Sequence, residues 1–202
     1  MTPLRIAVFA SHGGSDLQAI IDGCKGGSLA AEVCVVISNN SGSMALERAR
    51  REGIPALHLS ARQSGDEERL AANILEALRI HRADMIFLAG YMRRLHPSIL
   101  GRFDHRVFNI HPALLPKYGG QGMYGMHVHE AVIAAGETET GVTIHRVNAV
   151  YDDGEIVART TVPVLPQDTP ETLAARVLER EHTFLVEVIG DIVSGAIPLG
   201  QA

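Results

Sequence analysis

The sequence predicts a doubly wound α/β fold with a mostly parallel sheet and an antiparallel extension near the C-terminus. Three observations carry that prediction. Strand-like and helix-like segments alternate four times in succession, and parallel neighbours need such crossover connections. The strand-like segments are near-continuous apolar runs, the pattern of strands covered on both faces. After Pro116 the alternation stops, and two strand-like segments follow one another before a long closing helix.

Leu4–Ala10 is the first apolar run. Ser11-His12-Gly13-Gly14-Ser15 follows, and then Leu17, Ile20, Ile21 and Cys24 recur at helical spacing. Ser15 or Asp16 can cap that helix. Val33–Ser38 predicts the second strand, and Ser43 caps a helix through Arg51 that Gly53 ends. Ala56–Leu59 is a short third strand, and Asp66–Arg82 a helix with Leu70, Ile74 and Leu78 on one face. Met85–Ala89 is the fourth strand, Pro97 opens a short helix, and Val107–Ile110 is the fifth strand, stopped by Pro112. Four glycines make Lys117–Met126 a loop. Val128–Ala135 reads as a helix, Val142–Val147 and Ile156–Val164 as antiparallel or mixed strands, and Pro170–Ile192 as the last helix. No repeat or linker divides the chain, so residues 1–202 are expected to form one domain with two halves, 1–105 and 106–202.

Of the 202 residues, 46% are apolar, enough for a sizeable core. A formal charge of −5 and a pI near 6.0 argue against a nucleic-acid surface. Two cysteines, Cys24 and Cys34, with no CxxC, suit a reduced cytoplasmic chain. Met1–Ala10 is too short and wrongly flanked for a signal peptide, and no apolar run approaches the roughly 18 residues of a membrane span. The expectation is a soluble cytoplasmic protein acting on small molecules, as a monomer or homodimer, with neither nucleic acid nor membrane as partner.

Four groups of residues could carry chemistry. Ser11–Asp16 places two glycines and a serine between a strand and a helix, where free N–H groups attract a phosphate. It is neither GxGxxG nor a P-loop, so one phosphate monoester fits better than a dinucleotide, and a plain βα turn is the alternative. Asn109 and His111, at i and i+2, share a strand face at its C-terminal end, an amide beside an imidazole. With Asp152 or Asp153 to hold the histidine protonated, they could stabilise the oxyanion of an acyl transfer and move its proton. Glu181 lies on the apolar stripe Ala174, Leu178, Leu185, Val188 and Ile192, where a carboxylate needs a partner: a substrate ammonium or a neighbouring arginine. His111 with His127 and His129 is a weak metal reading, because i and i+2 diverge on a helix.

Taken together, Ser11–Ile21 (SHGGSDLQAII), Phe87–Arg93 (FLAGYMR), Phe108–Tyr118 (FNIHPALLPKY), Asp152-x-Gly154 and Glu181-His182 resemble the folate-dependent glycinamide ribonucleotide formyltransferase family of purine synthesis. The likeness runs from Ile6 to about Ile189. It implies a Rossmann-like formyltransferase fold and transfer of a formyl group from 10-formyltetrahydrofolate to the ribonucleotide amine, with no metal. By position it implies catalytic Asn109, His111 and Asp152. Gly14, Ser15 and Asp16 would hold the phosphate, and Glu181 the amine. Met92, Arg93, Arg94 and Leu95, with Asn109 and Asn148, Ala149, Val150, Tyr151 and Asp152, would enclose the folate. Residues 1–105 become the ribonucleotide half and 106–202 the folate and catalytic half.

The chain departs from the family pattern in three places. Asp16 stands where asparagine is usual. Asp66-Glu67-Glu68 stands where an arginine for the folate tail is common, leaving Arg62 or Arg69 for that contact. The Gly119–Gly125 loop is longer than usual. Other acceptors, a non-catalytic nucleotide or folate sensor, and a metal-dependent hydrolase are the competing readings. The basic C-terminal domain of a formyl-methionyl-tRNA-forming enzyme and the regulatory N-terminal domain of a formyltetrahydrofolate hydrolase are not expected here.

Overall fold

Apolar runs that are buried on both faces pair into a parallel sheet. In the computed structural model, which describes residues 2–200, these are β1 (Leu4–Phe9), β2 (Ala31–Ser38), β3 (Ala56–His58), β4 (Met85–Leu88) and β5 (Val107–His111). β6 (Glu139–Arg146) joins β5 antiparallel, and β7 (Ile156–Pro163) joins β6 antiparallel. The order across the sheet is β3-β2-β1-β4-β5-β6-β7. The chain winds outward from β1 to β3, returns, and continues on the other side of β1. The loops after β1 and β4 therefore diverge, and a crevice opens at the strands' carboxyl ends.

The helices are α1 (Ser15–Lys25), α2 (Met44–Arg51), α3 (Ala61–Ser64), α4 (Glu67–Ile80), α5 (Pro97–Arg102), α6 (Met126–Ala134) and α7 (Pro170–Ser194). They cover the two faces of the sheet. Ile6 and Val8 point into a core that includes Leu17, Leu46, Val132 and Leu185, from α1, α2, α6 and α7. Ala7 and Phe9 point the other way, against Leu70, Ile74 and Ile99 of α4 and α5. Alternation along β1 thus feeds both layers.

Several expected boundaries move. β2 begins at Ala31 rather than Val33, because pairing to Leu4 draws two more residues into the ladder. α4 ends at Ile80 rather than Arg82, which takes a left-handed φ of 50°. α3 is a single turn that the sequence pattern does not signal. Neither Ser15 nor Asp16 caps α1. The cap residue is Gly14, at φ 70°, and no side chain bonds to the helix start. Ser43 caps α2 as expected, accepting from Leu46 N–H. On α7 the buried stripe starts with Leu173 and Val177 rather than Ala174 and Leu178. Leu178 is 38% exposed and faces the cleft.

Candidate active site

β5 delivers the pair it was expected to deliver. Pro112 follows the strand, and Asn109 and His111 line a cleft of about 1210 Å³ at its end. That volume exceeds the usual range for one small ligand, about 300–1,000 Å³. Asp152 reaches the pair from the β6–β7 connection, in a left-handed conformation at φ 54°. Its Oδ2 lies 3.6 Å from His111 Nδ1 and accepts Gly120 N–H at 2.9 Å. Asp153 is exposed, so Asp152 is the carboxylate of the two that joins the cluster. Burial pushes the Asp152 carboxyl up, but His145, His111 and the Gly120 N–H outweigh it and hold its pKa below the ordinary value.

His111 corrects one expectation. The sequence reading has Asp152 keep it protonated. Here burial, with only 4% of the residue exposed, dominates the pull of Asp152 and lowers its pKa. His111 Nε2 lies 2.7 Å from the Tyr118 carbonyl, which only accepts, so Nε2 carries the hydrogen. Nδ1 is then the ring nitrogen nearest Asp152.

The β1–α1 turn forms the opposite wall. Gly14 can take its left-handed φ because it lacks a side chain, and a Cβ there would come within 2.8 Å of Ala45. Arg48 of α2 braces the turn through the Gly13 carbonyl at 2.9 Å. The first N–H groups of α1 have no side-chain cap, an arrangement that suits an anion. Asp16 and Glu181 meet beside it as two buried carboxyls, each 8% exposed, with His182 Nε2 3.5 Å from Asp16 Oδ1. Burial raises the Asp16 pKa, partly offset by His182, while burial and the Asp16 charge push Glu181 well up. The partner of Glu181 is therefore another acid, not the arginine considered from the sequence.

The remaining walls come from the loops after β4 and β6. Ser11 ties the first to β1, since its hydroxyl accepts Met92 N–H at 2.8 Å and donates to Asn39 Oδ1 at 2.6 Å. Met92, Val150 and Tyr151 present exposed apolar surface to the cleft, and Leu95 is buried behind them. Asn148 Oδ1 accepts Val150 N–H at 2.8 Å and shapes the second loop. Arg94 donates to the Ala149 carbonyl at 2.8 Å and stacks on Tyr151 at 4.8 Å, so it clamps the two loops together. Arg93 pairs with Glu67 at the rim, whereas neither Arg62 nor Arg69 lines the cleft. Among the described residues, the arginines that line the cleft are Arg93 and Arg94.

The sequence reading missed His145 and underused His129. His145 sits opposite Asn109 on β6, and its Nε2 lies 3.1 Å from Asn109 Nδ2. The alternating pattern of β6 places it on the Asn109 side, but nothing in the sequence fixes the cross-strand register. His129 of α6 is 5% exposed and lines the cleft with an unpartnered Nδ1. Burial and nearby His111 lower its pKa. His127 points elsewhere, stacking on Tyr124 at 5.4 Å. Among the described residues no three potential ligands converge on a metal position, and no helix is long and apolar enough to cross a membrane.

Fold and cleft together define a doubly wound α/β protein with a large open cleft at its topological switch point. The chain belongs to the formyl transferase family, whose model matches residues 4–189. It is 41% identical over 189 residues to the chloroplastic phosphoribosylglycinamide formyltransferase of Arabidopsis thaliana, covering 93% of this chain and 65% of that protein. The chain thus spans just under two thirds of that relative's length. It is 34% identical to the phosphoribosylglycinamide formyltransferase of Escherichia coli K12, covering 98% of this chain and 91% of that one. Glycinamide ribonucleotide transformylase 1 from Symbiobacterium toebii superposes with a TM-score of 0.88 at 38% identity, covering 96% of this chain and 89% of that one.

Proposed function

We propose that this chain transfers a formyl group from 10-formyltetrahydrofolate to the amine of glycinamide ribonucleotide, a step of purine synthesis. The observation that carries the reading is the joining of Asn109, His111 and Asp152 at the end of β5, across one cleft from the open start of α1. The backbone N–H groups at Gly14, Ser15 and Asp16 take the ribonucleotide phosphate, and Glu181 takes the amine. Met92–Leu95 and Asn148–Asp152 enclose the folate ring. The names of the Arabidopsis, Escherichia coli and Symbiobacterium proteins support the acceptor.

Attack by the amine forms a C–N bond and moves the carbonyl π pair onto oxygen. An Asn109 Nδ2–H stabilises that oxyanion. Negative charge developing beside neutral His111 raises its proton affinity, and Asp152 adds to the effect. His111 then accepts the proton of the attacking nitrogen and passes it to the folate nitrogen as the C–N bond to the donor breaks. These groups are the protein's own, so the reading calls for no metal. We propose further that the protein works in the cytoplasm, as a monomer or homodimer.

Steady-state turnover with both substrates tests the reading. Wild type should form the formylated ribonucleotide. His111→Ala should lower kcat by about 10²-fold or more while ribonucleotide affinity changes little. Wild-type kcat in that variant would sink the assignment.

A further inference from the structure

We propose that His145 is a positioning residue for the Asn109 amide, and that Gly154 keeps His145 in the tautomer this task needs. The inference rests on the formyl-transfer reading, in which Asn109 is the oxyanion donor.

His145 pairs across the ladder with Asn109, and its residue is 2% exposed, so water does not compete for its ring. Its Nδ1 lies 2.8 Å from the Arg146 carbonyl. A carbonyl only accepts, so Nδ1 carries the hydrogen, and Nε2 is left facing Asn109 Nδ2 and, at 3.4 Å, Asp152 Oδ1. The shorter of these contacts is to Asn109 Nδ2, at 3.1 Å, and in the proposed tautomer Nε2 accepts from it. Turned over, the amide would press its oxygen against two acceptors, His145 Nε2 and Asp152 Oδ1. His145 and Asp152 therefore choose the amide orientation between them. One Nδ2 hydrogen is committed to His145. The other faces Asp152 Oδ1 at 3.5 Å, a long contact that a substrate oxygen can replace.

The Arg146 carbonyl must stay in place for this to hold. A Cβ on Gly154 would lie 1.7 Å from that oxygen and 3.5 Å from His145 Nδ1. Only glycine lets the carbonyl approach. The β6–β7 register also shifts between Ile144 and His145, an irregularity of the kind that re-aims a side chain. The glycine of Asp152-x-Gly154 thus acts on Asn109 through Arg146 and His145, while the aspartate of the same motif acts directly.

The test compares full-length wild type, His145→Leu, His145→Gln, Gly154→Ala, Asn109→Ala and Asn109→Ala/His145→Leu, with glycinamide ribonucleotide and 10-formyltetrahydrofolate. His145→Leu should lower kcat by about 10²-fold, the loss typical of a disarmed oxyanion donor, with both KM values within about threefold of wild type. His145→Gln, whose side-chain oxygen can replace the Nε2 acceptor, should recover kcat to within about tenfold of wild type. The double variant should be no slower than Asn109→Ala, because the two losses share one route. A wild-type kcat in His145→Leu, or a double variant slower by the full His145→Leu factor, would overturn the proposal. If His145→Leu does not fold, Gly154→Ala in the wild-type and Asn109→Ala backgrounds replaces it. Nitrogen NMR of the His145 ring reads the tautomer without turnover: hydrogen on Nδ1 supports the proposal, and hydrogen on Nε2 overturns it. Absence of turnover by wild type would instead count against the formyl-transfer reading, and leaves the NMR outcome decisive for His145.

Discussion

At the scale of single residues, the cost of this site is concentrated in Asp16 and Glu181. Two buried carboxyls in contact cannot both ionise cheaply, and both pKa values are raised. A raised carboxyl contributes stability at low pH and loses it as pH climbs through the folded value. Asp16→Asn keeps a hydrogen-bonding side chain and removes one charge. Its melting temperature should therefore exceed that of wild type at pH 7, by the equivalent of on the order of 1 kcal/mol, and the gap should close toward pH 4. A gap that widens on acidification would refute the account of two buried carboxyls raising one another. The buried histidines act with the opposite sign. Burial lowers the pKa of His111 and His129 below 6.5, so the unfolded chain binds protons more readily than the folded one. Stability should fall as pH drops below about 6.5, and His129→Phe should flatten that fall in a melting series.

At the scale of elements, the start of α1 and the Gly119–Gly125 loop do most to shape the cleft. A tight turn leaves the α1 N–H groups without a side-chain cap, and Gly14 makes that turn at a left-handed φ against Ala45. Gly14→Ala should destabilise the fold by more than about 1 kcal/mol and weaken ribonucleotide binding with it. Denaturant titration and a direct binding measurement check the two parts. The loop and the residue before it are joined to the Asn109–His111–Asp152 cluster twice, through the Tyr118 carbonyl to His111 and through Gly120 N–H to Asp152. The loop is thus not a free rim, and Tyr118, just before it, sets the hydrogen on His111 Nε2.

At the scale of the whole molecule, α7 binds the two halves into one unit. It packs on α1 and α6 and along β6, and its Leu185 shares a core with Val8, Leu17, Phe108 and Val142. One cooperative calorimetric transition should follow, and two separated transitions would argue for halves that fold apart. Leu185→Ala should cost about 2–5 kcal/mol, read from the shift in denaturant midpoint.

The fold was legible because its signals are local. Apolar runs of strand length, caps such as Ser43, and glycine or proline stops lie within a few residues of what they control. Much of the candidate site was legible for the same reason, since Asn109 and His111 stand two apart on one strand. What the sequence left open depended on long-range contact. Composition alone left Asp152 and Asp153 open, the family likeness pointed to Asp152, and the folded β6–β7 connection brings Asp152 to the pair. The capping of α1 fell to Gly14 rather than Ser15 or Asp16, because backbone conformation decides it.

By itself, then, the sequence determined the α/β order, the strand that carries the amide and imidazole, and the likeness to a family, since each is written in neighbouring residues. Only the tertiary structure decided that burial lowers the His111 pKa, that Glu181 lies against Asp16, and that His145 faces Asn109. Proton position depends on burial and on partners that range from Tyr118, 7 positions from His111, to Asp16, near the opposite end of the chain from Glu181, and no local pattern encodes such distances.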